Sequence, residues 1–104
     1  MREAAIISTA RTPIGKAYRG AFNATEAPAL GACAINAAVE RADIDPERIG
    51  DVFFGCGNQW GTQGGNLGRM TLFAAGLPNS VPALTLDRKC GSGLTAVALA
   101  ARAI

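Results

Sequence analysis

The run Leu84-Thr85-Leu86-Asp87-Arg88-Lys89-Cys90-Gly91-Ser92-Gly93-Leu94-Thr95-Ala96-Val97 sets three unlike pieces end to end: an apolar strand, a glycine-bearing corner with a cysteine, and an alanine-rich helix. A strand that passes straight into a helix calls for a layered α/β arrangement, because the helix must fold back over the sheet. The corner also has a chemical consequence. A residue at a helix start sits beside backbone N–H groups without intrahelical acceptors, where the aligned peptide dipoles amount to about half a positive charge. A thiolate is the anion such a place favours, and the thiolate is the reactive form of cysteine. Glycines on both sides of Ser92 leave space around the sulfur of Cys90 and let the backbone come close to a bound carbonyl. Arg88 and Lys89 add positive charge beside the thiol, which Asp87 partly offsets.

Earlier segments read as the layers that carry this corner. Residues Glu3 to Ser8 are short and apolar, with adjacent isoleucines, and stop at Arg11-Thr12-Pro13; they are expected to form a first strand buried on both faces. Lys16 to Asn23 reads as a loop. Thr25 is placed to cap a helix from about Glu26 to Arg41, with Ala27, Leu30, Ala34 and Ala38 in one stripe and Gly31, Ile35 and Val39 in the next. Cys33 is expected on or near the packed side as a small buried hydrophobe. Asp45-Pro46-Glu47-Arg48 has the form of a single capped turn.

A second strand is expected from Asp51 to about Gly57, centred on Val52, Phe53 and Phe54. The loop Asn58 to Gly64, with Trp60, either lines a pocket or subunit contact or is a solvated connection with a partly buried aromatic. A helix from about Asn66 to Ala75 is closed by Gly76 in the left-handed conformation, and Pro78 prevents its continuation. Arg69 on it is either one side of a buried ion pair or a solvated charge. Val81 to Leu86 completes a third strand. Two right-handed βαβ units on a parallel sheet follow, with Cys90 beyond a strand's carboxyl end, where open α/β sheets hold their ligands.

Several functions are excluded. Gly55-Cys56-Gly57 has Trp60 where a dinucleotide fingerprint needs its third glycine, and Ala10 and Ala17 break the phosphate-loop pattern that Gly15-Lys16 suggests. A net charge of +2 over 104 residues offers no basic block for nucleic acid. No apolar run approaches the length of a membrane span. Ala4-Ala5-Ile6-Ile7 is too short for a secretory core, and Pro13 and Gly15 break any presequence helix. Cys33, Cys56 and Cys90 are an odd set with no metal-ligand spacing, which fits free thiols in a reducing, cytoplasmic compartment and predicts no metal site. Cys56, at a strand end with no helix start behind it, reads as structural packing. Histidine, the usual base for a cysteine nucleophile, is absent.

The segment Asp87-Arg88-Lys89-Cys90-Gly91-Ser92-Gly93-Leu94 resembles the nucleophile segment of the thiolases. Ala10-Arg11-Thr12-Pro13-Ile14-Gly15-Lys16 is similar to the turn after that family's first strand. Gly65-Asn66-Leu67-Gly68-Arg69, with Ala74-Ala75-Gly76-Leu77-Pro78, is similar to the helix before the nucleophile strand. Asp87 and Gly65 stand where the family often has asparagine and glutamine. The resemblance implies a three-layer α/β fold of which residues 1–104 form the opening β-α-β-α-β-α part, with parallel strands. It implies a truncated N-terminal domain, which agrees with a helical pattern still running at Ala100-Ala101-Arg102-Ala103-Ile104.

What the resemblance implies for function is acyl transfer between 3-oxoacyl-CoA and CoA. Cys90 is the nucleophile that carries the acyl thioester, and its own backbone N–H belongs to the oxyanion hole. Coenzyme A enters as co-substrate, no bound prosthetic group or metal is needed, and the parent is a homodimer or homotetramer. The activating histidine and a second cysteine, acting as acid and base, would lie outside this stretch. Two other readings stand beside it: a decarboxylating ketoacyl synthase, which shares the strand-cysteine-helix corner, and a non-catalytic piece. A redox thiol module is disfavoured because no resolving cysteine lies near Cys90 in the sequence.

Overall fold

The computed structural model of the chain describes residues 2–104, among which there are three α-helices, Ala27–Ala42 (α1), Leu67–Ala74 (α2) and Ser92–Ala103 (α3), and two strands, Val52–Gly55 (β1) and Ala83–Leu86 (β2). The strands pair in parallel with Val52 opposite Ala83 and Gly55 opposite Leu86, so β1-α2-β2 is one βαβ unit. Side chains alternate across β1. Phe54 faces α2 and α1, where a β-carbon built on Gly68 or Gly31 would meet its ring or stem. The Gly55 side faces the start of α3. The order of layers is therefore a helix pair, the sheet, and α3. Leu72, Leu77 and Val81 form the buried centre, with Ile35, Ile49, Val52 and Ala83 packed around them.

The expected first strand does not form. Residues 3–8 pair with no strand among the described residues, and Ile6 is 76% and Ile7 69% exposed. A strand exists only by hydrogen bonding to a neighbour, and adjacent isoleucines record only that the segment suits a sheet. It is tied at its ends instead: Arg2 donates to the Ile104 carbonyl at 2.9 Å, and Arg41 donates to the Thr9 carbonyl at 2.7 Å. An apolar cavity of about 390 Å³ separates it from α1 and the edge of β1.

Helix α1 has the two inner stripes the spacing predicts, but Cys33 is a correction. It is exposed, in line with Ala29, Asn36 and Glu40 on the outer face, and Ala32 is the buried residue. Cysteine's preference for burial yields here to the side on which α2 happens to pack. The cap is also corrected. Glu26, not Thr25, holds the N-cap position and makes no side-chain cap, and the Ala27 N–H is taken by the Thr62 hydroxyl at 3.2 Å.

Helix α2 is closed as the sequence predicts. Gly76 is left-handed at φ 72°, and the N–H groups of Gly76 and Leu77 return to the carbonyls of Phe73 and Leu72. Arg69 forms no ion pair and is not simply solvated either. Its guanidinium donates to the carbonyls of Asn79, at 2.8 Å, and Val81, and lies 4.4 Å from the centroid of the Phe73 ring. It thereby fastens the turn that leads into β2. No helix among the described residues is long and apolar enough to cross a membrane.

Candidate active site

At the carboxyl end of β2 the chain turns through a single 3-10 turn, Lys89–Gly91, and only then enters α3 at Ser92. Cys90 therefore lies in the turn ahead of the helix and does not open α3 itself. Between strand and helix one residue of this turn, Lys89, lies in the left-handed region, with φ 45°. Cys90 is exposed.

The donors of this corner are almost fully committed. The Ser92 hydroxyl, 4% exposed as a residue, accepts from the Arg88 N–H at 2.9 Å and donates to the Lys89 carbonyl at 2.7 Å. The Lys89 N–H goes to Asp87 Oδ1 at 2.8 Å, the Gly91 N–H to the Arg88 carbonyl at 2.9 Å, and the Ser92 N–H to the Lys89 carbonyl. Among the backbone N–H groups of residues 88–92, that leaves the one of Cys90 without an acceptor among the described residues, a consequence of its place in a first turn.

The neighbouring strand end supplies the other wall. Cys56 follows β1 directly, and its N–H bonds to the Leu86 carbonyl at 2.9 Å, prolonging the pairing. Its thiol is buried, donates to the Asn58 carbonyl at 3.3 Å and receives Gln63 Nε2 at 3.7 Å; this is the packed role expected of it. Cys56, Gly57, Asn58, Gln63, Lys89 and Cys90 together line a cavity of about 400 Å³. Trp60 is 80% exposed and is not among them.

One of the two cations at the site is paired locally. Lys89 Nζ stands 2.8 Å from Asp87 Oδ2 and donates to the Gly57 carbonyl at 3.1 Å. Lys89 holds the Asp87 carboxyl below its ordinary value, first through the side-chain hydrogen bond and then through the backbone N–H. Of the two positive charges that the sequence places beside the sulfur, that of Lys89 is thus paired with Asp87, and among the described residues Arg88 forms no salt bridge.

The contributions of Gly57, Asn58 and Gln63 to the cavity are not read from the sequence around Cys90. A signal for them exists: in a parallel pair the carboxyl ends of adjacent strands lie together, so residues just after β1 must meet residues just after β2. Ser92 is likewise recognisable as a small hydroxyl at a helix start, the type that bonds back to nearby backbone.

The sequence model for the N-terminal domain of thiolases matches residues 4–104. Curated relatives agree over the whole chain. A beta-ketoadipyl-CoA thiolase of Acinetobacter baylyi is 47% identical over 105 residues, covering 100% of this chain and 26% of the relative. An acetyl-CoA acetyltransferase of Cupriavidus necator is 46% identical over 104 residues, with coverage of 100% and 26%. A 3-oxoadipyl-CoA/3-oxo-5,6-dehydrosuberyl-CoA thiolase of Escherichia coli is 47% identical over 105 residues, again covering 100% and 26%. The chain spans about a quarter of the length of these relatives.

Proposed function

The chain belongs to the thiolase family, matching its N-terminal domain, and on that premise we propose that it carries the nucleophile of a thiolase-type acyltransferase. The carrying observation is the exposed Cys90, set beside its own uncommitted N–H on a cavity at the carboxyl ends of two parallel strands.

The Cys90 thiolate adds to the keto carbon of a 3-oxoacyl-CoA, and the negative charge passes to the carbonyl oxygen. The Cys90 N–H points its hydrogen toward that developing charge, where a preorganised donor is worth most. Collapse breaks the carbon–carbon bond, leaves the shortened acyl group as a thioester on Cys90, and releases the two-carbon fragment as acetyl-CoA once its carbanion is protonated. The thiolate of a second CoA then attacks the thioester and frees Cys90. A thioester replaces a thioester, so the exchange is nearly balanced and runs in either direction. The histidine that the family resemblance implies as activating base is not in this sequence, which contains no histidine, and the second cysteine it implies as acid and base is likewise expected outside this stretch. A reducing cytoplasmic setting keeps the thiol free, and coenzyme A is a substrate rather than a resident cofactor. An assembly of two or four copies is the family's expected form. The acyl group to try first is the 3-oxoadipyl chain for which two of the relatives are named.

The test is mass spectrometry of the whole protein as encoded after incubation with acetyl-CoA. One acetyl adduct is expected on the peptide containing Cys90, and Cys90→Ala abolishes it while leaving the circular dichroism spectrum unchanged, because the side chain is exposed. A label on Cys33 or Cys56, or none on the unsubstituted protein, overturns the proposal.

A further inference from the structure

We infer that Lys89 is a positioning residue, which with Asp87 and Gly57 forms a clip that holds the turn from which Cys90 is presented. This rests on the acyl-transfer reading above and adds a residue and a mechanism to it.

Lys89 is gripped at every polar atom. Its N–H bonds to Asp87 Oδ1 at 2.8 Å, its carbonyl accepts from the Ser92 hydroxyl at 2.7 Å, and its ammonium bonds to Asp87 Oδ2 at 2.8 Å and to the Gly57 carbonyl at 3.1 Å. It is also the left-handed residue immediately before the nucleophile, with φ 45°. A lysine does not hold that conformation by preference, since its β-carbon crowds the following carbonyl; surrounding contacts must impose it. The backbone of Gly57 is shaped for the same contact. A β-carbon built there would stand 2.9 Å from the Lys89 carbonyl oxygen and 3.1 Å from its α-carbon. The clip therefore joins the ends of the two parallel strands at the turn that carries Cys90.

Two roles for the ammonium must be separated. An unpaired cation near a thiol acts on its ionisation, but this one is paired to a carboxylate and bonded to a carbonyl as well, so its effect on Cys90 is geometric. Such an effect appears in acyl transfer, which needs the sulfur in line with a carbonyl carbon. It does not appear in reaction with a small reagent that can approach from any side.

The test compares Lys89→Met, which keeps the stem, with Lys89→Arg, which keeps a cation, in the whole protein as encoded. Acetylation of Cys90 by acetyl-CoA and its alkylation by iodoacetamide are followed in parallel on the Cys90 peptide. Lys89→Met is expected to slow acetylation about tenfold, with alkylation within about twofold of the unsubstituted protein, and Lys89→Arg to recover most of the loss. Because the lysine side chain is 77% exposed, Lys89→Arg is expected to melt normally and Lys89→Met to lose only the small contribution of its exposed ion pair with Asp87. Equal acetylation in Lys89→Met and the unsubstituted protein overturns the clip. A parallel fall in alkylation also overturns it, since the cation would then act through the ionisation of the sulfur. If the unsubstituted protein is alkylated at Cys90 but never acetylated, the acyl-transfer reading fails first and the clip falls with it.

Discussion

Gly55 and Ser92 meet backbone to backbone: a β-carbon built on Gly55 would stand 2.5 Å from the Ser92 carbonyl carbon and 2.6 Å from its oxygen. The end of β1 is thus the seat on which α3 begins, with the Cys90 turn suspended between that seat and the end of β2. The buried Ser92 hydroxyl bridges the Arg88 N–H and the Lys89 carbonyl from the same place, so one contact fixes both the helix and the corner before it.

The first prediction follows from that contact. Gly55→Ala forces a methyl group into the backbone of Ser92, where no flexible side-chain end can yield, so α3 must lift from the sheet. Overpacking of this kind costs about 1–3 kcal/mol. Chemical denaturation of the whole protein should show a lower midpoint with an unchanged slope. A midpoint equal to that of the unsubstituted protein would mean that the two backbones are not in contact.

A second prediction concerns the helix layer. Thr71 of α2 is fully buried against Gly31 of α1, and its hydroxyl has no hydrogen-bond partner among the described residues. A buried hydroxyl without a partner has given up its water for nothing, at about 1–3 kcal/mol by the measure of mutational series. Thr71→Val keeps the shape and removes the unpaired group, so stability should stay level or rise by about 1 kcal/mol. Calorimetry of the melting transition decides it, and a marked fall would show that the hydroxyl is bonded after all.

The third is a pH dependence. Lys89 keeps the Asp87 carboxyl below its ordinary value of 3.8 in the folded chain, chiefly by the side-chain hydrogen bond. A carboxyl whose folded value is depressed binds its proton more readily when unfolded. The stabilisation is therefore present above about pH 4 and is lost as pH falls through the depressed value. Asp87→Asn, which keeps an acceptor for the Lys89 N–H, should remove this part of the acid sensitivity. Melting temperatures of the two proteins are expected to differ near neutral pH and to converge below the ordinary carboxylate range. Curves that stay parallel down to pH 2 would contradict the pairing.

Much of this was legible from residue types alone. Gly76 and Pro78 mark the end of α2 because a left-handed close favours glycine and proline cannot continue a helix. Val52-Phe53-Phe54 and Ala83-Leu84-Thr85-Leu86 are apolar runs bounded by turn residues, and strands are what they form. The Cys90 corner is legible for a similar reason, since its glycines and its alanine-rich continuation constrain the backbone locally. The errors fall where a neighbour decides. Glu3 to Ser8 has strand composition, yet no partner strand accepts its backbone. Cys33 suits a core and ends on the outer face of α1, because the packed side of that helix was taken by other residues.

What the sequence alone determined is therefore the identity of the nucleophile candidate and the strand-turn-helix form that presents it, because those depend on local dihedral preferences and on chemistry carried by single residues. Only the tertiary structure decided what surrounds it: that Gly57 and Gln63 share a cavity with Cys90, that the Lys89 ammonium spans to a carbonyl 32 positions away, and that the Cys90 N–H is the backbone donor of the corner left open. Contacts between distant positions depend on how parallel strands come into register, and register is a property of the packed layers rather than of any one segment.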